Sequence, residues 1–322
     1  MLTSLQQRLD DYPDLARWYA SRNQKPLEDR PVVQFLWSLC RGLDRGTGDL
    51  VMELPDLLET LAESSNTLKA DLQTVESTLG QEGLRFNEFL GEAAEAAIHQ
   101  DYGQRYFATF QTLADKTGIA IFRFLAAWVA MNTGKPEICV DECEKVEAPL
   151  SHFSILQGQA LLELGRLNEA VESFQIATQL APSDLLAKFQ LAKALYVQRK
   201  FSDAWAVLIE CHQMAGRSGE VALLTGVVCC EAEFGEERAK FAWDLLYPHL
   251  QSNTDHVEIV LSLLKLSMQI KDQGLITLII PQVNWKAVGA NPVFVKSLGP
   301  LLRSLYKHGW FDVTAEFLAK LS

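Results

Sequence analysis

The chain has 322 residues, and its hydrophobic content of 48% is typical of a folded protein rather than a disordered one. The formal net charge is −12, and residues 51–150 carry 17 Asp and Glu against 7 Lys and Arg, which argues against a nucleic-acid-binding protein. Because there is no uncharged apolar stretch of about 18 residues and no apolar segment at the N-terminus, we expect neither a membrane span nor a secretory signal.

The first two predicted segments are helical. Residues 1–50 form an N-terminal helical segment with two predicted helices, and residues 51–84 form a long acidic amphipathic helix. The apolar seam of that helix steps by four and three, as in a coiled coil: Leu54, Leu58, Leu61, Ser65, Leu68, Leu72, Val75 and Leu79. Because the flanking positions are mostly acidic, a parallel homodimer would repel itself. Packing on neighbouring helices is therefore favoured over dimerisation, and both remain open.

Residues 85–150 are interpreted as two degenerate helical hairpins. In the second of them, Gly134 suits the C-terminal cap of one helix, and Pro136 suits the first turn of the next. The acidic residues of the whole segment 51–150 indicate a solvated face more than a site for a basic partner.

The next stretch, residues 151–184, reads as one hairpin whose small and large positions recur about 34 residues later. The matched positions are Gly158, Ala192 and Gly226; Leu161 and Leu195; Leu167 and Phe201; Ala170 and Ala204; Phe174 and Leu208; Ala177 and Cys211. Two closely packed helices need small side chains where they cross, and Gly165 suits a helix C-terminal turn that requires positive φ. Pro182 ends the second helix of the hairpin.

This pattern resembles the tetratricopeptide repeat (TPR), with Gly158, Leu161, Gly165, Ala170, Phe174, Ala177 and Pro182 as its marks. The resemblance implies an all-α fold, a right-handed superhelical solenoid of TPR-like hairpins with an N-terminal helical extension. Its repeats would occupy residues 151–252, as 151–184, 185–218 and 219–252, with Ala239 or Ala242 as the small residue of the third. Residues 253–322 would add C-terminal hairpins and a capping helix.

In TPR proteins the first helix of each hairpin lines a concave groove that binds other proteins. The resemblance places these residues in the groove: His152, Ile155, Gln159, Leu162, Leu186, Phe189, Lys193, Tyr196, Leu223 and Val227. Some TPR proteins clamp a C-terminal carboxylate with Lys and Asn where this chain has Ile155 and Gln159. We therefore expect an extended apolar peptide or an amphipathic helix as the ligand instead.

No sequence motif indicates catalysis. A phosphate-binding loop, a GxSxG elbow and an HExxH helix are all absent. Cys139 and Cys143 could share a helix face and hold two metal bonds, but nothing nearby completes four ligands, so small core residues are favoured. Six cysteines without a CxxC pair indicate reduced thiols and a cytoplasmic location.

The sequence therefore predicts a cytoplasmic adaptor or scaffold that is not an enzyme. It would need no cofactor or metal, and its partner would be another protein rather than a nucleic acid or a membrane. The alternative is a regulatory or assembly subunit that self-associates, as a homodimer for instance, through the seam of residues 54–79.

Overall fold

The computed structural model of the chain describes residues 120–146, 151–216 and 218–321, together with a few positions between 73 and 115. The predicted N-terminal segment 1–50 lies outside the described residues, and so do nearly all of the acidic helix 51–84 and its seam. Within the described part, the backbone consists of helices and turns and contains no strand. No helix there is long and apolar enough to cross a lipid bilayer.

The described helices fall into two compact units that meet in sequence after Gly165, inside the first predicted repeat. The first unit contains α1 (Ala120–Asn132), α2 (Pro136–Glu144) and α3 (Ser151–Glu163). The second unit contains α4 (Leu167–Leu180), α5 (Leu185–Val197), α6 (Phe201–Ala215), α7 (Gly219–Ala232), α8 (Glu236–Leu250), α9 (Val257–Ile270), α10 (Gln273–Ile279) with a 3₁₀ turn (Ile280–Gln282), α11 (Trp285–Ala290), α12 (Pro292–Lys307) and α13 (Phe311–Leu321).

In the first unit, α2 packs between α1 and α3, and α1 also contacts α3. The helices approach closely because α1 presents Ala126 and Ala127, both fully buried, to its neighbours. The rings of Phe124 on α1 and Phe153 on α3 meet edge to face, with 5.5 Å between their centroids. Small and aromatic side chains together build this core.

A charged network is built into the first unit. Glu142 on α2 is only 1% exposed, and its carboxylate accepts hydrogen bonds from Arg123 (2.9 Å), Lys145 (2.5 Å) and Gln111 (2.7 Å). Arg123 also donates to Asp115 at 2.5 Å. Burial disfavours the charged carboxylate and is the largest single influence on it, yet the bonds from Lys145, Arg123 and Gln111 together lower the pKa of Glu142. Glu142 is thus buried as a carboxylate, unlike the solvated face expected of the acidic segment.

In the second unit, successive helices from α4 to α10 pack against one another. Alternate helices also touch, since α7 contacts both α5 and α9, and α9 in turn contacts α12. The helices α5, α7, α9 and α12 therefore form a row of neighbours. Consecutive packed helix pairs of this kind are compatible with a helical repeat protein.

The small residues of the predicted repeat lie where helices cross. Ala170, Ala204 and Ala239 are each the fourth residue of their helix, α4, α6 and α8, and each is completely buried. Ala239 is therefore the counterpart of Ala170, although Ala242 is also buried. The register shifts by one residue because α7 has 14 residues, whereas α3 and α5 have 13.

The turns within the helix pairs share one backbone feature, a residue with positive φ after the first helix. Its amide donates to the carbonyl three residues back, as from Gly134 to Met131 and from Lys271 to Met268, except at Glu233, whose amide donates four residues back to Cys229. The residues with this conformation are Gly134, Gly165, Arg199, Glu233, Lys271 and Gly309. The predictions for Gly134 and Gly165 are confirmed, whereas three turns use residues for which positive φ is unfavourable.

Replacing Lys271 by glycine is expected to raise the free energy of unfolding by about 0.5–1 kcal/mol, because glycine adopts positive φ without a Cβ penalty. Lys271 has φ 61° and is exposed, so little else changes. Urea denaturation would measure the difference. The reverse change, Gly309→Ala at φ 72°, should destabilise by a similar amount. A Lys271→Gly protein less stable than wild type would contradict this account.

Candidate partner-binding surface

The predicted groove residues of the first unit lie on α3. Ile155 is only 6% exposed and belongs to the packed interior, so it offers little surface to a ligand. His152, Gln159 and Leu162 are half-buried. The Ser151 hydroxyl lies 3.2 Å from Nδ1 of His152. Of the four positions on α3, three are thus accessible in part.

The predicted residues on α5 share one side of that helix in the second unit. Leu186 and Lys193 are exposed, whereas Phe189 and Tyr196 are half-buried. Their spacing by three and four puts them on a single face. The Lys193 ammonium lies 5.9 Å from the centroid of the Phe189 ring, a weak cation–π contact at a solvated site. This face combines apolar surface with a mobile positive charge.

The neighbouring helix α7 adds Leu223 and Val227, both half-buried, and is tied to α9 by polar contacts. Gln269 of α9 donates to the Cys230 carbonyl at 3.1 Å, and the Cys230 thiol lies 3.6 Å from the Ser262 carbonyl oxygen. Ser262 lies inside α9, where a carbonyl can accept a second bond, whereas Cys230 lies in the last turn of α7, where carbonyls lack donors from their own helix. These contacts hold α7 and α9 side by side.

Charged residues of α7 and α9 act on Tyr196 of α5. Burial is the main cause of a raised pKa at Tyr196 on α5, and the negative charges of Glu231 on α7 and Glu258 on α9 act in the same direction. Lys265 of α9 approaches Glu231 at 3.9 Å. The surface of α5, α7 and α9, hereafter the first-helix surface, therefore has an apolar centre with charges of both signs around it.

Sequence reasoning did not include Glu231, Glu258 or Lys265 in this surface. Glu231 lies four residues after Val227, so the helical spacing could have found it. The two residues of α9 carry no such signal, because the connection that precedes α9 breaks the spacing of about 34 residues.

The described cysteines lack the features of reactive or metal-binding groups. Burial raises the pKa of Cys211 and Cys229 to about 11 and that of Cys230 to about 12, so these thiols stay protonated at neutral pH. A hydrogen bond with Cys139, together with burial, also raises the pKa of Cys143. Among the residues that the structure describes, no group of three or more His, Cys, Asp or Glu side chains could hold a metal ion.

Within the described residues, the geometry defines a set of helices that pack consecutively in pairs, and the second unit presents a mixed apolar and charged surface on α5, α7 and α9. Neither the protein-family models nor the curated proteins contain a match to this sequence. The function must therefore be inferred from the chemistry of the residues themselves.

Proposed function

We propose that this protein is a non-enzymatic adaptor or scaffold that binds a partner protein on the first-helix surface of a TPR-like solenoid. The observation that carries the proposal is a cluster of partly exposed apolar side chains on two touching helices: Phe189 and Tyr196 of α5, Leu223 and Val227 of α7. Apolar side chains that stay half-exposed beside a packed core are a usual feature of protein-binding surfaces.

The charges around this cluster indicate the kind of segment that the partner would place on it. Glu231 and Glu258 influence Tyr196, and Lys193 lies over Phe189, so both signs of charge border the apolar centre. An amphipathic helix or an extended peptide with apolar anchors three or four residues apart fits such a surface. Charges at its rim would set orientation and association rate more than affinity.

The remaining features fit a binding role in a reducing compartment. All five described cysteines are free, and four of them are buried. Free buried thiols are typical of proteins that fold in the cytoplasm, where disulfides are kept reduced. We therefore place the protein in the cytoplasm, with no cofactor and no reaction of its own.

Replacing Phe189 by glutamate is expected to abolish partner capture while leaving helicity and melting temperature nearly unchanged. The new charge would lie in the apolar centre of the first-helix surface, where a bound partner could not solvate it. Tagged wild-type and Phe189→Glu proteins would be used as baits in native cytosol, and retained proteins identified by mass spectrometry.

The matched control is Met214→Glu, which places the same charge at an exposed apolar residue of α6, outside the row of first helices. A partner retained by wild type and Met214→Glu but lost from Phe189→Glu would support the proposal. If Phe189→Glu retains the same proteins as wild type, the first-helix surface is not the binding site. If helicity and melting temperature instead both fall in Phe189→Glu, Phe189 is a core residue and is not part of a binding surface.

A further inference from the structure

The last two described helices, α12 and α13, expose large apolar side chains on the side away from their core. Phe294, Leu301 and Leu305 of α12 and Val313 and Phe317 of α13 are buried, so each helix already has a packed face. The exposed apolar side chains include Val295 (54%), Tyr306 (68%), Phe311 (57%) and Leu318 (44%). Scattered single residues of this kind are ordinary, whereas adjacent ones indicate a contact surface.

These side chains are aligned along one side of each helix. Val295 and Tyr306 are eleven residues apart on α12, about three turns, and so lie on the same side of the helix. The rings of Tyr306 and Phe311 meet edge to face, with 5.2 Å between centroids, which joins this stripe to α13. Leu318 follows Phe311 by seven residues and continues the stripe along α13. The Tyr306–Phe311 contact therefore joins the exposed apolar residues of the two helices, and Val295 lies about three turns further along the same side of α12.

Positive charges on α12 border this surface. Lys296, Arg303 and Lys307 lie along the exposed side of α12, and no ion pair joins them to any carboxylate within the described residues. Residues 285–321 carry five Lys and Arg against two Asp and Glu, a balance of +3 in a chain whose net charge is −12. Between Lys296 and Arg303, Gly299 leaves open space above the helix.

We propose that this face of α12 and α13, the C-terminal basic face, binds an acidic amphipathic helix of a partner protein. Apolar anchors at helical spacing match the apolar seam of such a helix, and its flanking carboxylates would pair with Lys296, Arg303 and Lys307. Three cations on one face are fewer than the four to eight, roughly, that recruit proteins to anionic membranes. They are also too few for a nucleic-acid surface, which needs a strongly basic domain.

The probe is a labelled synthetic helix of four heptads, about 28 residues, with leucine at the two seam positions and glutamate around them. Fluorescence anisotropy with the full chain is expected to show saturable binding that weakens as salt is raised, because exposed ion pairs are screened. The same peptide with neutral glutamine in place of every glutamate should bind much more weakly. Equal binding of both peptides would overturn the proposal.

Two variants of the full chain locate the site. Arg303→Glu and Phe311→Ser each change an exposed residue of the C-terminal basic face. Each is expected to lower the affinity for the acidic peptide about tenfold or more. Lys200→Glu, a charge reversal at an exposed residue outside this face, should bind like wild type. Met214→Glu, at an exposed apolar residue of α6 outside both surfaces, should also bind the peptide normally.

Wild-type affinity in both Arg303→Glu and Phe311→Ser would show that the peptide binds elsewhere and would contradict the inference. Vesicles containing phosphatidylserine test the competing occupant. If Arg303 is required for binding to those vesicles and the acidic peptide does not bind, the face is a membrane contact and the proposal of a partner helix is wrong.

Discussion

Replacing Arg123 by methionine is expected to lower the free energy of unfolding by about 3 kcal/mol, the largest effect of any substitution proposed for this protein. Glu142 is almost inaccessible, and Arg123 donates to it at 2.9 Å from within the same packed unit. Without the guanidinium, a buried carboxylate would keep only Lys145 and Gln111 as partners. Urea denaturation monitored by circular dichroism would measure the loss.

The double variant Arg123→Met with Glu142→Leu is the control for this prediction. Removing both charges leaves no buried carboxylate, and apolar replacement of a buried ion pair is often neutral, so most of the lost stability should return. Lys145 and Asp115 are exposed enough to be solvated in that variant. If the double variant were as unstable as Arg123→Met, packing rather than charge would explain the loss.

The acid dependence of stability is a second measurement on the same variants. The pKa of Glu142 is lower in the folded protein than its ordinary value of 4.5, so the folded state binds its proton less readily than the unfolded chain. The stability that this carboxylate contributes is therefore complete above about pH 4.5 and is lost as the pH falls through the lower folded pKa. The double variant should lack this part of the acid dependence.

Replacing Gly226 by valine is expected to destabilise the second unit by about 1–3 kcal/mol or more, because the helix crossing has no room for a side chain. A Cβ at Gly226 would lie 3.0 Å from Cδ2 of Leu246 and 3.7 Å from both Cδ1 of Leu266 and Cβ of Ser262. All three neighbours are buried on α8 and α9, so none can move aside freely.

The matched control is Ala206→Val, which adds a branched side chain at an exposed position of α6. It should change the melting temperature only slightly, since a β-branched residue costs a helix a few tenths of a kcal/mol or so. If the melting temperature of Gly226→Val equals that of the wild type, α7 does not cross its neighbours at the position that the repeat predicts.

Local residue chemistry was sufficient to predict the helix pairs after residue 120. Gly134 and Gly165 adopt the positive φ that a helix C-terminal turn requires, and the Asp184 side chain caps α5 by accepting from the amides of Leu186 and Ala187. The small residues at intervals of about 34 lie in helix crossings, because close packing tolerates nothing larger there. The turn and cap signals act within a few residues, and the repeat of small residues is visible in the order of the residues, so a single sequence reveals both.

The tertiary structure decided which side chains are accessible and which charges meet. Ile155 has the spacing of a surface position but is buried, and Glu142 belongs to an acidic segment but pairs with Arg123, which lies nineteen residues earlier. The influence of Glu258 on α9 on the pKa of Tyr196 on α5 likewise depends on how three helices pack. Burial and long-range pairing arise from the relative placement of whole helices, and helical spacing within one segment carries no information about that placement.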